Sequence, residues 1–471
     1  MPPLTRLTRL ALLLVLAALV APAAASAAPR LWMGFQDDPY FRWLPERFFM
    51  RDRAVHANST IMKTTVYWFN TAPRRPANAT NPFDPAYRWE DLDEFVRQAA
   101  DRDIEVMLTI WGTPTWAGPA KNRLPRRLAD IQNFARALAN RYSGRNRGYP
   151  FVRFYSVWNE PNLNLFLTPQ FDARGRSVAP ANYAKLYRAA YTGFKQGSPR
   201  ALVAIGETSA RGRDRKKAGV SDTHSPGKFA ELLAKARPRL RFDAYAHHPY
   251  SSPANQPPTQ IVRWPNVSMT TLPRFGVQLD KWFGRKNVPI WLTEYGHETR
   301  PEDPKGVTYA QQASYIRTAA TMARRNPRVG MLIWFAIRDN PVNAWQSGLM
   351  TQFGLEKPAF DIYSQVAKPL DARNSFVTVK GGVANPAVRV PTTKLAYRSG
   401  AGSRVGLTYR VFQRGRLLVV EQPVAAIGLD GWITIRPRFT PARGVTYTLD
   451  VEVGDVNGNK VQRTLTLVSV K

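Results

Sequence analysis

The chain contains no cysteine among its 471 residues. It therefore cannot form a disulfide bond, use a thiol as a nucleophile or bind a metal ion through thiolates. Burial of apolar side chains must stabilise the fold instead, and a chain of this length can bury enough of them.

Apolar runs long enough to span a bilayer are also lacking. The short apolar run at residues 10–20 follows the basic residues Arg6 and Arg9 and precedes a segment of small residues that ends near Ala28. This order is typical of a cleaved export signal. We therefore expect residues 1–28 to be removed and the protein to be secreted without stable membrane insertion. A retained N-terminal anchor is the alternative.

Acidic residues are few: 34 Asp and Glu stand against 67 Lys and Arg, and the formal net charge is +33. Such an excess attracts polyanions, among them anionic wall polymers. The basic residues are scattered, however, which favours a solvated basic surface without a specific partner. No helix-turn-helix, zinc-finger or aromatic sheet motif accompanies the charge, so nucleic acid is not an expected partner.

Short apolar runs alternate with longer amphipathic stretches between residues 30 and 366. This alternation is typical of repeated strand and helix units around a parallel sheet. Most runs are apolar throughout, as expected for strands that are covered on both faces. Eight of them predict an α/β fold, a (β/α)8 TIM barrel. The predicted strands are residues 31–35, 61–67, 104–110, 152–158, 202–206, 242–246, 290–293 and 331–336.

The last hundred or so residues have a different pattern, in which short Val, Thr, Tyr and Leu runs alternate with Gly, Asn and Pro turns. The pattern predicts a small all-β sandwich that resembles the immunoglobulin or fibronectin type III modules. The expected organisation is a signal peptide at 1–28, a catalytic barrel at 29–369 and a β-sandwich accessory domain at 370–471. The predicted sandwich strands are 404–410, 416–420, 432–436, 446–453 and 464–470, with a turn at 455–459.

Two predicted barrel strands end in a glutamate. Strand four closes with Asn159 and Glu160, and strand seven closes with Glu294. Functional residues project from the carboxyl ends of the strands of such a barrel, so both glutamates are expected at one mouth. Cleavage of a glycosidic bond needs one carboxylic acid that protonates the leaving oxygen and a second carboxylate on the opposite face of the sugar. For a single glutamate after a strand, an ion pair with an arginine is the favoured explanation, but the two glutamates together with Asn159 favour catalysis.

The Trp-Asn-Glu-Pro segment at 158–161 and the Thr-Glu-Tyr-Gly segment at 293–296 resemble glycoside hydrolase clan A, the superfamily of retaining cellulases, mannanases and xylosidases that includes families 5 and 39. The resemblance covers the barrel, about residues 30–366. It implies that Glu160 is the acid/base and Glu294 the nucleophile. It also implies that Asn159 hydrogen-bonds the sugar 2-hydroxyl, a contact that strengthens in the transition state.

The segment that closes strand six, residues 246–250, resembles the His-x-Tyr element of the clan. The resemblance places His248 and Tyr250 at the site, where a tyrosine hydroxyl keeps the nucleophile ionised and a histidine orients the acid/base or the sugar. Neighbours on a strand point to opposite faces, so His247 and His248 do not form a metal pair. No further ligand set is evident, and we expect neither a metal nor a cofactor.

Two tryptophans are predicted to bind substrate, because flat indole rings pack well against the apolar C–H faces of sugars. Trp334 matches the tryptophan that the clan carries on strand eight, and Trp116 follows strand three.

Other acidic residues at the same barrel end stay outside the predicted site. Glu207, after strand five, either contacts sugar or pairs with Arg211 or Arg213. Asp37 and Asp38, after strand one, either bind sugar or cap the following helix.

The sequence thus predicts a secreted, monomeric retaining glycoside hydrolase that cleaves a β-linked poly- or oligosaccharide by double displacement. A carbohydrate-binding or wall-associated barrel without catalysis is the alternative, which the presence of both glutamates disfavours. The glycan itself is chosen by the loops rather than by the central residues.

Overall fold

The computed structural model describes residues 31–372 except 103, 343 and 344, and, nearer the C-terminus, residues 378–380, 387–389, 404–422, 424–426, 432–434, 439–454 and 460–468. The predicted signal peptide and the predicted turn at 455–459 lie outside the described residues. Within the described part of the chain, no helix has both the length and the apolar character that crossing a membrane requires.

Eight parallel strands form a closed barrel, in which each strand pairs with the next in the chain and the eighth pairs with the first. This arrangement confirms the predicted fold class. The strands are β1 (Trp32–Gln36), β2 (Ile61–Tyr67), β3 (Glu105–Trp111), β4 (Phe154–Val157), β5 (Leu202–Ser209), β6 (Ala244–His248), β7 (Ile290–Tyr295) and β8 (Val329–Phe335).

A helix follows each barrel strand. Two of the helices begin with side-chain caps: Ser225 caps the fifth, and Thr308 with Gln311 forms a capping box at the seventh. The helices are α1 (Arg47–His56), α2 (Glu90–Asp101), α3 (Leu128–Arg141), α4 (Ala179–Gly197), α5 (Pro226–Leu233), α6 (Leu272–Phe283), α7 (Tyr309–Arg325) and α8 (Pro358–Ala372).

Side chains along the strands alternate between two apolar layers. One cluster takes residues from all eight strands and fills the barrel; Trp291, Met331 and Ile333 belong to it. Leu332 and Trp334 belong instead to the larger cluster that packs the helices against the sheet. Because successive residues point to opposite faces, the phase of each strand decides which side chains reach the mouth.

Strand β6 lies two residues further along the chain than predicted. It includes His247 and His248, and His247 pairs in register with Thr208 of β5 and Leu292 of β7. The predicted strand ended too early because it was defined by a run of apolar residues. Both histidines are polar, yet the structure buries them completely within the strand.

The C-terminal part is all-β and antiparallel, as predicted. Its strands are β9 (Thr378–Lys380), β10 (Ala387–Arg389), β11 (Arg404–Gln413), β12 (Arg416–Glu421), β13 (Val424–Ala426), β14 (Trp432–Thr434), β15 (Thr446–Gly454) and β16 (Lys460–Val468). A three-stranded sheet has the order β14-β10-β9, and a five-stranded sheet has the order β12-β11-β15-β16 with β13 beside β11. The larger sheet has one buried face, formed by Leu407, Tyr409, Val411, Leu449 and Val451. Helix α8 ends at Ala372, three residues past the domain limit placed at 369, which stays a prediction.

Candidate active site

Three of the predicted site residues meet at the mouth of the barrel. One carboxylate oxygen of Glu160, one of Glu294 and a ring nitrogen of His248 all lie within 4.8 Å of one another. The three residues come from the ends of β4, β7 and β6, where a (β/α)8 barrel gathers its functional side chains. Their spacing is close enough for all three to contact one sugar.

The backbone at several strand ends is in the left-handed region. The φ angle is 71° at Trp158, 36° at Glu160, 50° at Glu207 and 68° at Ala336. Such angles are costly for residues with a Cβ and persist where the surrounding structure holds them. The Glu160 N–H donates to the Glu207 carbonyl oxygen at 2.9 Å, which fixes the two strand ends against each other.

His248 bridges two carboxylates. Its Nδ1 lies 3.0 Å from Glu160 Oε1 and its Nε2 lies 2.9 Å from Glu207 Oε2. Complete burial lowers the pKa of His248, but the charge of Glu294 and the hydrogen bonds to Glu160 and Glu207 outweigh burial and raise the pKa to about 9. At neutral pH the ring is therefore an imidazolium that donates from both nitrogens.

Glu207 continues this chain of charges to Lys63 of β2. The Lys63 Nζ lies 3.0 Å from Glu207 Oε2, and both side chains are buried. Burial raises the pKa of Glu207, but the charge of Lys63 and the hydrogen bond from His248 outweigh it and lower the pKa to about 2. Positive and negative groups thus alternate from Lys63 through Glu207 to His248, which hydrogen-bonds Glu160.

The expected pairing of Glu207 with Arg211 or Arg213 is wrong. Arg211 hydrogen-bonds the Ser252 hydroxyl and Arg213 the Ser221 carbonyl oxygen. Sequence reasoning missed Lys63 altogether. The available signal was the position of Lys63 on the inward face of a barrel strand. A charge buried there needs a partner of opposite charge.

Tyr250 supports the second glutamate. Its hydroxyl donates to Glu294 Oε1 at 2.9 Å. Burial raises the pKa of Glu294, the charge of His248 lowers it, and the charge of Glu160 raises it again, for a net rise. The hydrogen bond from Tyr250 opposes that rise and favours the ionised carboxylate.

Asn159 stands directly before Glu160 in the loop after β4 and is half-buried. Its predicted contact with a sugar hydroxyl stays a prediction.

Trp334 belongs to the outer apolar cluster rather than to the one that fills the barrel, and its role as a substrate platform stays a prediction. The side chain is 2% exposed, its indole N–H donates to the Ser347 carbonyl oxygen at 2.9 Å, and its ring packs against Tyr295. Strand alternation explains this burial, because successive residues of β8 point to opposite faces of the sheet. A different tryptophan, Trp345 of the loop after β8, contacts the ring of Tyr250 at a centroid distance of 5.2 Å.

Trp116 lies on the loop after β3, as expected, but its contacts are structural. Its indole N–H donates to the Ala72 carbonyl oxygen at 2.7 Å, and its ring meets Trp68 edge-on. Trp111, at the end of β3, packs against Trp158, the residue before Asn159, with ring centroids 6.3 Å apart.

Glu160, His248 and Glu294 are also the group that resembles a metal-binding set among the described residues. Both nitrogens of His248 lie beside carboxylates, Nδ1 beside Glu160 and Nε2 beside Glu207. His247 points elsewhere, to Thr208 and the Val267 carbonyl oxygen, as strand alternation predicts.

The chain matches the cellulase family, glycosyl hydrolase family 5, over residues 48–339. The matched range contains the whole cluster of Glu160, His248 and Glu294. This chain belongs to glycosyl hydrolase family 5. Its clan A resemblance is thereby confirmed, and glycosidase activity on a carbohydrate substrate is the activity of its family.

Solved structures similar to this family 5 chain agree on the fold. A glucosidase from Croceicoccus marinus has a TM-score of 0.55 and 13% identity, over 87% of this chain and 95% of that one. A hyperthermophilic β-glucosidase from Pyrococcus furiosus has a TM-score of 0.50 and 12% identity, over 72% of this chain and 95% of that one. The comparison with curated proteins finds no significant relative.

Proposed function

We propose that this family 5 chain is an exported retaining glycosidase that cleaves a β-linked poly- or oligosaccharide. The separation of the two glutamates carries the proposal, because oxygens of Glu160 and Glu294 lie within 4.8 Å. Retention requires carboxyl groups about 5–5.5 Å apart, whereas inversion requires about 6.5–9.5 Å to hold a water molecule between them. The short separation supports retention.

In the first step the Glu294 carboxylate attacks the anomeric carbon while Glu160 donates a proton to the leaving oxygen. The bond to the leaving group breaks, and a glycosyl ester forms on Glu294. In the second step Glu160 takes a proton from water, which attacks the same carbon and releases Glu294. Two inversions give net retention.

The neighbouring charges suit these roles. Tyr250 donates to Glu294 Oε1 and so favours the ionised nucleophile. His248 donates to Glu160 Oε1 and stabilises the carboxylate that Glu160 becomes once it has given up its proton. Asn159, next to Glu160, is the proposed partner of the 2-hydroxyl.

Aryl β-glycosides of glucose, mannose and xylose test the proposal. We expect Glu294→Gln to abolish turnover of every substrate that the wild type cleaves. We expect Glu160→Ala to retain the first step on a 2,4-dinitrophenyl glycoside and to lose it on an alkyl glycoside, whose leaving group needs the proton. Glu231→Gln, at a surface ion pair with Lys228, is the control.

The first anomer released, followed by proton NMR, should be β. An α product contradicts retention. Mild and equal losses in both glutamate variants favour the non-catalytic carbohydrate-binding barrel instead.

Export is tested separately by the N-terminal sequence of the protein recovered from the medium of an expressing bacterium. We expect it to begin near residue 29. Recovery of the intact chain in the membrane fraction supports the retained anchor.

A further inference from the structure

The end of the barrel opposite the mouth is strongly basic. It is formed by the connections that lead from a helix into the next strand, since these lie at the amino ends of the strands. Five of these connections contain eleven lysines and arginines and one acidic residue, whereas the whole chain has 67 basic and 34 acidic residues. They are residues 142–153, 198–201, 234–243, 284–289 and 326–328. Basic residues that are scattered in the sequence therefore gather at one end of the fold.

The densest part of this end comes from two neighbouring connections, those that precede β6 and β7. We call its five members the basic cluster, and all of their side chains are exposed: Arg237, Arg239, Arg241, Arg285 and Lys286. The two connections touch, because a Cβ on Gly284 would lie 2.8 Å from a guanidinium nitrogen of Arg239. The cluster is therefore one continuous surface.

Two members of the basic cluster are held by contacts with the backbone. The guanidinium carbon of Arg285 lies 4.5 Å from the centre of the Phe242 ring, and its Nη1 donates to the Phe242 carbonyl oxygen at 2.7 Å. Arg237 Nη1 donates to the Ala234 carbonyl oxygen at 3.1 Å, at the end of α5. Side chains that are already fixed lose little conformational freedom when a ligand binds, so contacts with them are favourable.

The two aspartates that flank these connections do not neutralise the cluster, because other cations hold them. Asp243 lies 3.0 Å from Lys195 Nζ. Asp280 accepts two hydrogen bonds from Arg328, at 2.8 and 2.7 Å. Among the described residues, no member of the basic cluster forms an ion pair with an aspartate or glutamate. Their positive charges face solvent together, and this arrangement attracts an anionic ligand.

The surroundings of the cluster favour a carbohydrate polymer over a membrane or a nucleic acid. Binding to a membrane surface combines basic residues with apolar side chains that enter the lipid, and binding to single-stranded nucleic acid uses exposed aromatic rings. Within the described part of the chain, the large apolar side chains that are exposed all lie outside the five connections. Guanidinium groups bind carboxylates through paired hydrogen bonds, and the family acts on carbohydrate.

We propose that the basic cluster is a binding surface for an anionic, carboxylate-bearing polysaccharide, at the end of the barrel opposite the catalytic pair. A polymer bound there leaves the mouth open, so the enzyme is held on an anionic polymer while it acts on another glycan. The proposal goes beyond the proposed function and does not depend on it, because none of the five residues lies at the mouth.

Two variants that lose the same net charge test the surface. The first changes three members of the cluster and keeps Arg285, whose hydrogen bond supports the loop: Arg239→Gln, Arg241→Gln and Lys286→Gln. The matched control removes three exposed charges from the connection after β5, on the side of the mouth: Arg215→Gln, Lys216→Gln and Lys217→Gln. An attraction that comes from the overall field falls equally in both.

Binding is measured by the fluorescence anisotropy of labelled polygalacturonate at about 0.05 M NaCl, where screening is weak. We expect the cluster variant to bind at least about tenfold more weakly than the wild type, and the control to stay within about twofold, because exposed ion pairs contribute modestly one by one. Lys286→Gln alone should weaken binding about twofold, which keeps the test open if the triple variant does not fold. Unchanged urea midpoints verify folding.

Equal weakening in the two triple variants overturns the proposal, and so does a wild type that binds labelled dextran as tightly as polygalacturonate. Vesicles of phosphatidylglycerol and phosphatidylcholine are titrated in the same way. If the cluster variant weakens binding to vesicles but not to polygalacturonate, the partner is a membrane and the proposal is wrong.

The place of the polymer is tested by turnover. We expect saturating polygalacturonate to leave kcat/KM for a neutral aryl β-glycoside unchanged, whereas inhibition places the polymer at the mouth and overturns the proposal. The binding measurement itself needs no turnover. An inactive protein that binds polygalacturonate through the cluster therefore rejects the proposed function and supports this surface.

Discussion

His248 connects both glutamates of the site to the buried pair Glu207 and Lys63. Its ring lies 3.0 Å from Glu160, 2.9 Å from Glu207 and 3.9 Å from Glu294. Each carboxylate stabilises the imidazolium, and the imidazolium lets the carboxylates share a small volume without full repulsion. The protonation of one group therefore depends on all the others.

Tyr250→Phe tests how Glu294, the proposed nucleophile, is kept ionised. The variant removes the hydrogen bond to Glu294 Oε1, which lowers the pKa of that carboxyl. We expect the pKa of Glu294 to rise, so that the acid limb of the kcat/KM profile moves up by about one pH unit. A profile that keeps its acid limb while kcat/KM falls shows that Tyr250 contacts only the substrate.

Glu207→Gln tests the buried charges through stability. It leaves Lys63 and His248 buried without their shared partner, and we expect a loss of about 3–5 kcal/mol in the free energy of unfolding at pH 6. Urea denaturation measures it. Glu231→Gln, at a surface ion pair, should cost less than about 1 kcal/mol. Equal losses in the two variants contradict a structural role for the charge chain.

The pH dependence of stability follows from the same pKa values. Since the pKa of His248 is raised from 6.5 to about 9, its contribution is complete below pH 6.5 and is lost as the pH rises through 9. Since the pKa of Glu207 is lowered from 4.5 to about 2, its contribution is present above pH 4.5 and is lost as the pH falls through 2. Both contributions are complete between pH 4.5 and 6.5.

At the scale of elements, Glu160, His248 and Glu294 are supplied by the ends of three different strands, so the site depends on how closely the outer helices pack against the barrel. Helices α3 and α4 approach each other through two glycines. A Cβ at Gly193 would lie 2.0 Å from the Gln132 carbonyl oxygen, and one at Gly197 would lie 2.4 Å from that of Arg136. Only residues without a Cβ permit this approach.

Gly193→Ala tests whether close packing or helix propensity dominates the stability at this position. Alanine favours a helix over glycine by about 1 kcal/mol, but here its Cβ meets backbone, so we expect a net destabilisation of about 1–3 kcal/mol in thermal or urea unfolding. Ser314→Ala on the exposed face of α7 gains propensity without a clash and should leave stability unchanged or slightly higher. A stabilised Gly193→Ala variant contradicts the close contact.

The whole molecule carries a formal net charge of +33. The field of this charge acts on large polyanions at a distance, and dissolved salt screens it.

Binding to an anionic polymer tests the overall field. We expect retention on immobilised polygalacturonate at about 0.02 M NaCl and release by about 0.5 M, because the Debye length shrinks with salt. Immobilised dextran is the neutral control, and hydrolysis of a neutral aryl glycoside should vary little over the same range. Retention that survives high salt contradicts a purely electrostatic attraction.

Much of this protein could be predicted from its sequence. Apolar runs and amphipathic stretches predicted the eight strands, and parallel strands with helical connections place all carboxyl ends at one mouth. The glutamates at 160 and 294 therefore had to face the same opening, and the motifs around them indicated the family. These features are local in the sequence or follow from the order of the strands, so they could be predicted without any interatomic distance.

The tertiary structure decided what depends on phase and on long-range contact. Trp334 and Phe335 are neighbours, and a shift of one residue in the phase of β8 exchanges which of them faces the interior. Lys63 and Glu207 lie 144 positions apart and become partners only when the barrel closes. Charge pairing across a closed sheet leaves no periodic signal in the sequence, because the two partners become neighbours only in the folded barrel.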